Sequence, residues 1–253
     1  MKKNLTYLIA IAAIILLSFG AKAQGGLAPL VGSTHVYTVT ADDATNNTLL
    51  WTISPATGYT VNSGTATEQV NITWTTANTY TVTFTETDGT TGCETVKTAT
   101  VVVSANTFDV TASAASAFCN AADGQVNYAS TDATTAIAFT VDMTTANALF
   151  NPNWEITFTL NPGTASLANV ATSGGTLSGT GPYTLTGITS TSGNGTVDIT
   201  MDVTGGIYAV QNVLLTITSA KELTYNTPDK DSDDWSATQT INAIPQTSAI
   251  TTD

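Results

Sequence analysis

His35 is the chain's one histidine, so a Ser-His-Asp or Cys-His device would have to be built around it. It stands in GSTHVYTV, beside a strand start, with no G-x-S-x-G context for a nucleophile. The residue reads as a strand histidine, exposed or partly packed. His35 with Cys93 and Cys119 lacks the paired spacing of a zinc site. Glycoside hydrolysis needs two carboxyl groups facing each other across a cleft. Glu68, Glu86, Glu94, Glu155 and Glu222 are scattered along the chain and read as solvated strand residues. No catalytic residues are assigned, and the expectation is a protein that is not an enzyme.

One segment concentrates oxygen ligands. In TPDKDSDDW, Asp229, Asp231 and Asp233 have the D-x-D-x-D spacing of a calcium loop, with Asp234 beside them. The EF-hand pattern then fails, because Asp234 stands where glycine permits the turn and Thr240 holds the twelfth position. A looser calcium site from these four aspartates stays open against a plain solvated turn, and no cofactor other than calcium is suggested by the residues. Trp235 follows the cluster and lies outside any clear alternating strand, which makes it the candidate ligand contact for a sugar. Trp51, Trp74 and Trp154 are in phase with apolar neighbours and read as core.

These residues sit in a chain of marked composition. It begins MKKNLTYLIAIAAIILLSFGAKAQ, with two lysines, an apolar run from Leu8 to Leu17, and an A-x-A pattern ending at Ala23. That is the pattern of a secretory signal peptide over residues 1–23, too short for the ~20 residues of a membrane span. Loss of the leader leaves Lys97, Lys221 and Lys230 against nineteen acidic residues, and the chain has no arginine. Without a basic patch it cannot neutralise phosphates, which excludes nucleic-acid binding. The mature chain is expected to be secreted or at the cell surface, without a transmembrane segment.

Alternation of period two recurs throughout. Leu49, Trp51 and Ile53 form one such run; Val70, Ile72 and Trp74 another; Tyr80, Val82 and Phe84 a third. Turn chemistry follows each, as in SPATG and TDGTTG. Beyond Ala105 the runs Ile137–Met143, Trp154–Leu160 and Val197–Val203 alternate again, between Gly-rich stretches such as TSGGTLSGTGPY that read as turns. The expected fold is all-β: two tandem β-sandwich domains over 25–104 and 105–253. A hydrophobic fraction of 42% argues against a disordered threonine-rich stalk.

The first domain resembles the PKD-like and immunoglobulin-like modules of bacterial surface proteins. The residues that carry the resemblance are Trp51, Trp74, Tyr80 to Phe84, Gly92 with Cys93, and Val101 to Val103. The aspartate-glycine motif of the better-defined members is absent. The resemblance implies an immunoglobulin-like fold and a structural or adhesive role, often in proteins that gliding bacteria export by type IX secretion. No appended C-terminal sorting domain is read in the chain, so passage beyond the periplasm is not implied.

An even cysteine count in a secreted chain favours a disulfide, and Cys93 with Cys119 is the candidate pair, worth ~3–4 kcal/mol on the loop-entropy account. The functional expectation is a secreted or cell-surface adhesion or spacer protein with a protein or glycan partner. The alternatives are a carbohydrate-binding module, calcium-assisted, and a self-associating fibre subunit.

Overall fold

A computed structural model describes residues 26–120, 131–146 and 150–246. Residues 1–23, read from the sequence as a signal peptide, lie outside the described residues. The chain divides into two compact units, Met1–Ala105 and Asn106–Asp253. The described residues form strands and no helix.

Unit 1 contains β1 (Thr34–Thr38), β2 (Thr48–Ser54), β3 (Tyr59–Ser63), β4 (Gln69–Trp74), β5 (Asn78–Thr87) and β6 (Glu94–Val103). They form two antiparallel sheets, ordered β1-β4-β3 and β2-β5-β6. Threonine, β-branched and at home on a pleat, takes alternate positions on β5, while Tyr80, Val82 and Phe84 turn inward. Those side chains meet Val70, Ile72 and Trp74 of the other sheet in one apolar core. Burying each such side chain stabilises the fold by roughly 1.5–3 kcal/mol.

Tyr80 also fixes the end of this sandwich. Its hydroxyl lies 3.0 Å from the Thr76 carbonyl and 3.1 Å from that of Gly58. Gly58 has φ +90°, and a Cβ there would fall 2.1 Å from the Tyr80 hydroxyl oxygen. A Gly58→Ala change would therefore dislodge the tyrosine as well as strain the backbone.

Unit 2 contains β7 (Asp109–Ala114), β8 (Phe118–Cys119), β9 (Asp132–Thr144), β10 (Trp154–Asn161), β11 (Ser166–Thr172), β12 (Thr176–Ser178), β13 (Tyr183–Ile188), β14 (Asn194–Gly206), β15 (Gln211–Glu222) and β16 (Ser236–Asn242). One sheet runs β12-β13-β10-β15-β16-β8 and the other β11-β14-β9-β7. The pairing is antiparallel except for the short contact of β16 with β8. Phe139, Val141 and Met143 of one sheet and Trp154, Ile156 and Phe158 of the other belong to a single core. Each unit is thus a β-sandwich of two sheets around one apolar core.

Two readings from the sequence need correction. The stretch TSGGTLSGTGPY is more than a turn, because Thr176–Ser178 forms β12 and pairs with β13. Its glycines mask the strand: Gly175 and Gly179 have positive φ at either end of a three-residue run. His35 is not exposed; it is 3% accessible, on the inward face of β1.

Candidate functional site

The acidic loop is the natural place to look for a site, and its geometry begins at Glu222. That residue ends β15 with its carboxylate buried, accepting hydrogen bonds from the backbone N–H groups of Thr224, Tyr225 and Thr227 and from the Thr227 hydroxyl, at 2.6–3.1 Å. It holds the bend that starts the loop. Asp229 follows, anchored by its own N–H to the Ala220 carbonyl at 3.0 Å.

Asp229 then works as a junction. One carboxylate oxygen accepts from the N–H groups of Val110 (3.1 Å) and Lys230 (2.8 Å), the other from the indole N–H of Trp235. Burial raises its pKa to about 6, opposed by these hydrogen bonds, with Asp109 adding to the rise. The Lys230 ammonium bridges Asp109 at 3.0 Å and Asp231 at 3.2 Å. Lys230 N–H reaches the Phe108 carbonyl, and Ala112 N–H reaches that of Asp234, both at 2.8 Å. The loop is thus laid against β7, the edge strand of its sheet, and occupies backbone groups that would otherwise be open.

Of the four aspartates proposed as calcium ligands, the structure brings Asp229 and Asp231 together. It adds Asp109, which the sequence reading did not single out: the three offer carboxylate oxygens within 4.8 Å of one another. Asp233 and Asp234 are exposed and outside that group. The Lys230 ammonium already supplies positive charge to two of the three carboxylates. Asp109 was hidden in sequence because it lies 120 residues before Asp229, in a strand that opens with no acidic neighbour. Trp235 is partly buried against the core of unit 2, with its polar edge committed to Asp229.

The remaining candidates are also internal. The Ser33 hydroxyl donates to the Leu30 carbonyl at 2.6 Å and so has only its lone pairs for His35 Nε2, 2.9 Å away. The histidine is therefore the donor, and the serine is not activated. Desolvation lowers the His35 pKa to about 4. Glu86 and Glu222 are not solvated strand residues: they are 9% and 0% accessible. Glu86 accepts from the N–H groups of Asp42 and Asp43 and from Asn47 Nδ2, ordering the loop between β1 and β2, and these bonds lower its pKa. Loop amides need acceptors, and strand-end carboxylates supply them. Glu155 is paired with Lys221 at 3.2 Å. Cys93 and Cys119 are free, exposed thiols, one in each unit.

No family model and no curated protein matches the chain. Among solved structures it is similar to a chimeric titin Z1Z2 carrying an exogenous decorin peptide, with 9% identity, 87% of this chain and 92% of that chain covered, and a TM-score of 0.36. It is similar to the seventh ScaB type I cohesin of Pseudobacteroides cellulosolvens at 11% identity, covering 57% and 99% with a TM-score of 0.35. The fibronectin(III)-like modules of Clostridium thermocellum CbhA align at 9% identity over 91% and 97%, with a TM-score of 0.32.

Proposed function

We propose that this chain is a non-enzymatic structural or adhesion protein, secreted or held at a cell surface, that presents contacts from two rigid immunoglobulin-like sandwiches. The observation that carries the reading is the employment of its acid–base groups. His35, Glu86, Glu222 and Asp229 are each drawn inward to satisfy the protein's own hydrogen bonds. A catalytic group must keep a free face towards substrate. The leader pattern and the scarcity of basic residues agree with export and with a partner other than nucleic acid. No helix among the described residues is long and apolar enough to cross a membrane.

The rival reading, calcium-assisted sugar recognition at Asp229–Trp235, draws less support. Trp235 spends its indole N–H on Asp229, and Lys230 holds Asp109 and Asp231. A glycan array run beside adhesion to protein-coated surfaces, each with and without calcium, separates the two. The adhesive reading expects protein or self contact and no reproducible glycan signal. Glycan binding that Trp235→Ala abolishes would replace it. In an oxidising compartment the Cys93 and Cys119 thiols are proposed to pair, which a cross-linked peptide in the unreduced digest would reveal.

A further inference from the structure

The side of unit 1 between β1 and β6 is built differently from the rest of the molecule. Strand β1 is at one end of its sheet and β6 at the end of the other. Among the described residues the outer edge of β6 is paired only at its top, where Val102 N–H donates to the Leu27 carbonyl and Ser104 N–H to that of Pro29, both at 2.9 Å. By strand alternation the backbone groups of Val96, Thr98 and Thr100 point the same way. Among the described residues no backbone group meets them. Between the two edges lies an apolar recess of about 260 Å³, its walls including Tyr37, Val39, Trp51, Phe84 and Ala99. Exposed Leu27, Val36, Val96 and Val102, each about half accessible, lie on the segments that border it.

Lys97 lines the same recess. Lys221 and Lys230 have carboxylate partners, and among the described lysines Lys97 alone has none. An inward-pointing lysine on an edge strand is a guard against pairing with an identical edge, because two such strands would bring their ammonium groups together. The same charge admits a strand that carries a carboxylate.

We infer that the β1/β6 edge of unit 1 accepts an extended segment of a partner polypeptide, with apolar residues at alternate positions and a carboxylate that meets Lys97. The open N–H and C=O groups of Val96, Thr98 and Thr100 supply main-chain hydrogen bonds, and the recess takes the alternate side chains. The inference rests on the adhesive reading for the nature of the partner. It can fail while that reading stands, since adhesion through loop tips survives a change at this edge.

The probe is a synthetic peptide of the Thr79–Asp88 sequence, TYTVTFTETD, whose strand already suits β6 along its other edge. Amide exchange by NMR on the purified protein should show new protection at Val96, Thr98 and Thr100. Thr98→Pro deletes an outward N–H without touching the β5 ladder, and should weaken binding about tenfold or more. Ala99→Trp, which fills the recess, is the second variant should the proline disturb folding. Lys97→Glu should lose the acidic peptide and gain one in which both acids are replaced by lysine. No protection at these amides at the highest soluble peptide concentration overturns the inference, as does equal binding by Thr98→Pro and Ala99→Trp. Protection of the same amides by self-association alone overturns the partner in favour of a second copy.

Discussion

Two edge strands of this molecule meet the same problem with opposite outcomes. In unit 2, β7 ends its sheet, and the loop after β15 lies along it, with Asp229 accepting from Val110 and the Asp234 carbonyl accepting from Ala112. In unit 1, β6 ends its sheet with Val96, Thr98 and Thr100 uncovered below a short cap from Leu27 and Pro29. An uncovered edge is an aggregation hazard that natural sandwiches usually blunt. The aspartate cluster that looked like a ligand site is the cover of one edge, and the plain threonine strand is the open one. Chemistry-bearing residues thus mark the covered edge of this molecule, and the open edge carries none but Lys97 and Glu94.

The sharpest way to break this comparison is to remove the anchor of the cover. Glu222→Ala removes the acceptor of the buried Thr227 N–H and hydroxyl and of the part-buried Thr224 and Tyr225 N–H groups, and should destabilise unit 2 by about 2–4 kcal/mol. Thermal unfolding followed separately for each unit is the measurement. An equal loss in both units, or a loss below about 1 kcal/mol, would contradict the assigned role of Glu222.

Acid should act on the two units in opposite directions. The folded pKa of His35, about 4, lies below its unfolded value of 6.5, so between those limits the unfolded chain binds the proton and the native one does not. Unit 1 should therefore lose stability as pH falls from 6.5 towards 4, by up to about 3 kcal/mol. His35→Gln, which keeps a donor for Ser33, should flatten that slope. Asp229 has the reverse sign, its folded pKa of about 6 standing above the ordinary 3.8. Its protonation favours the folded state, a contribution present below pH 3.8 and lost as pH rises through 6. With Lys230 close by and partial exposure, the effect on unit 2 is about 1 kcal/mol. Asp229→Asn should remove it. Urea midpoints across pH 4–7 read both signs, and parallel slopes in the two units would dispose of the contrast.

The fold was legible where alternation is strong. Tyr80–Val82–Phe84 and Val197–Ile199–Met201 announce strands and their inward faces, and both lie in the two cores. His35 shares the phase of Tyr37, so its burial was readable from the same rule. β12 was not, because three residues between positive-φ glycines give no periodicity. The clasp escaped for a different reason. Asp109, Val110 and Phe108 meet the aspartate loop only through hydrogen bonds and an ion pair made in the folded unit, and a local pattern of acids says nothing of which distant strand it covers. The open edge was equally hidden, since β5 and β6 read alike and only topology makes one central and the other terminal.

The smallest effect concerns the threonines themselves. On the outer face of unit 2 their hydroxyls are tied to acids across the strands: Thr140 donates to Asp198 at 2.8 Å and Thr196 to Asp142 at 2.6 Å. On the outer face of unit 1, Thr83 stands between Thr52 and Thr98 in register, and none of the three hydroxyls has a protein partner among the described residues. Threonine there contributes its β-branched shape alone. Thr140→Val should cost unit 2 about 1 kcal/mol through the lost hydrogen bond, whereas Thr83→Val, isosteric and unpaired, should stay within about 0.5 kcal/mol of no change. Should both substitutions cost the same, the two threonine faces would be equivalent, and the outer face of unit 1 would hold no unspent hydrogen-bonding capacity for a neighbour.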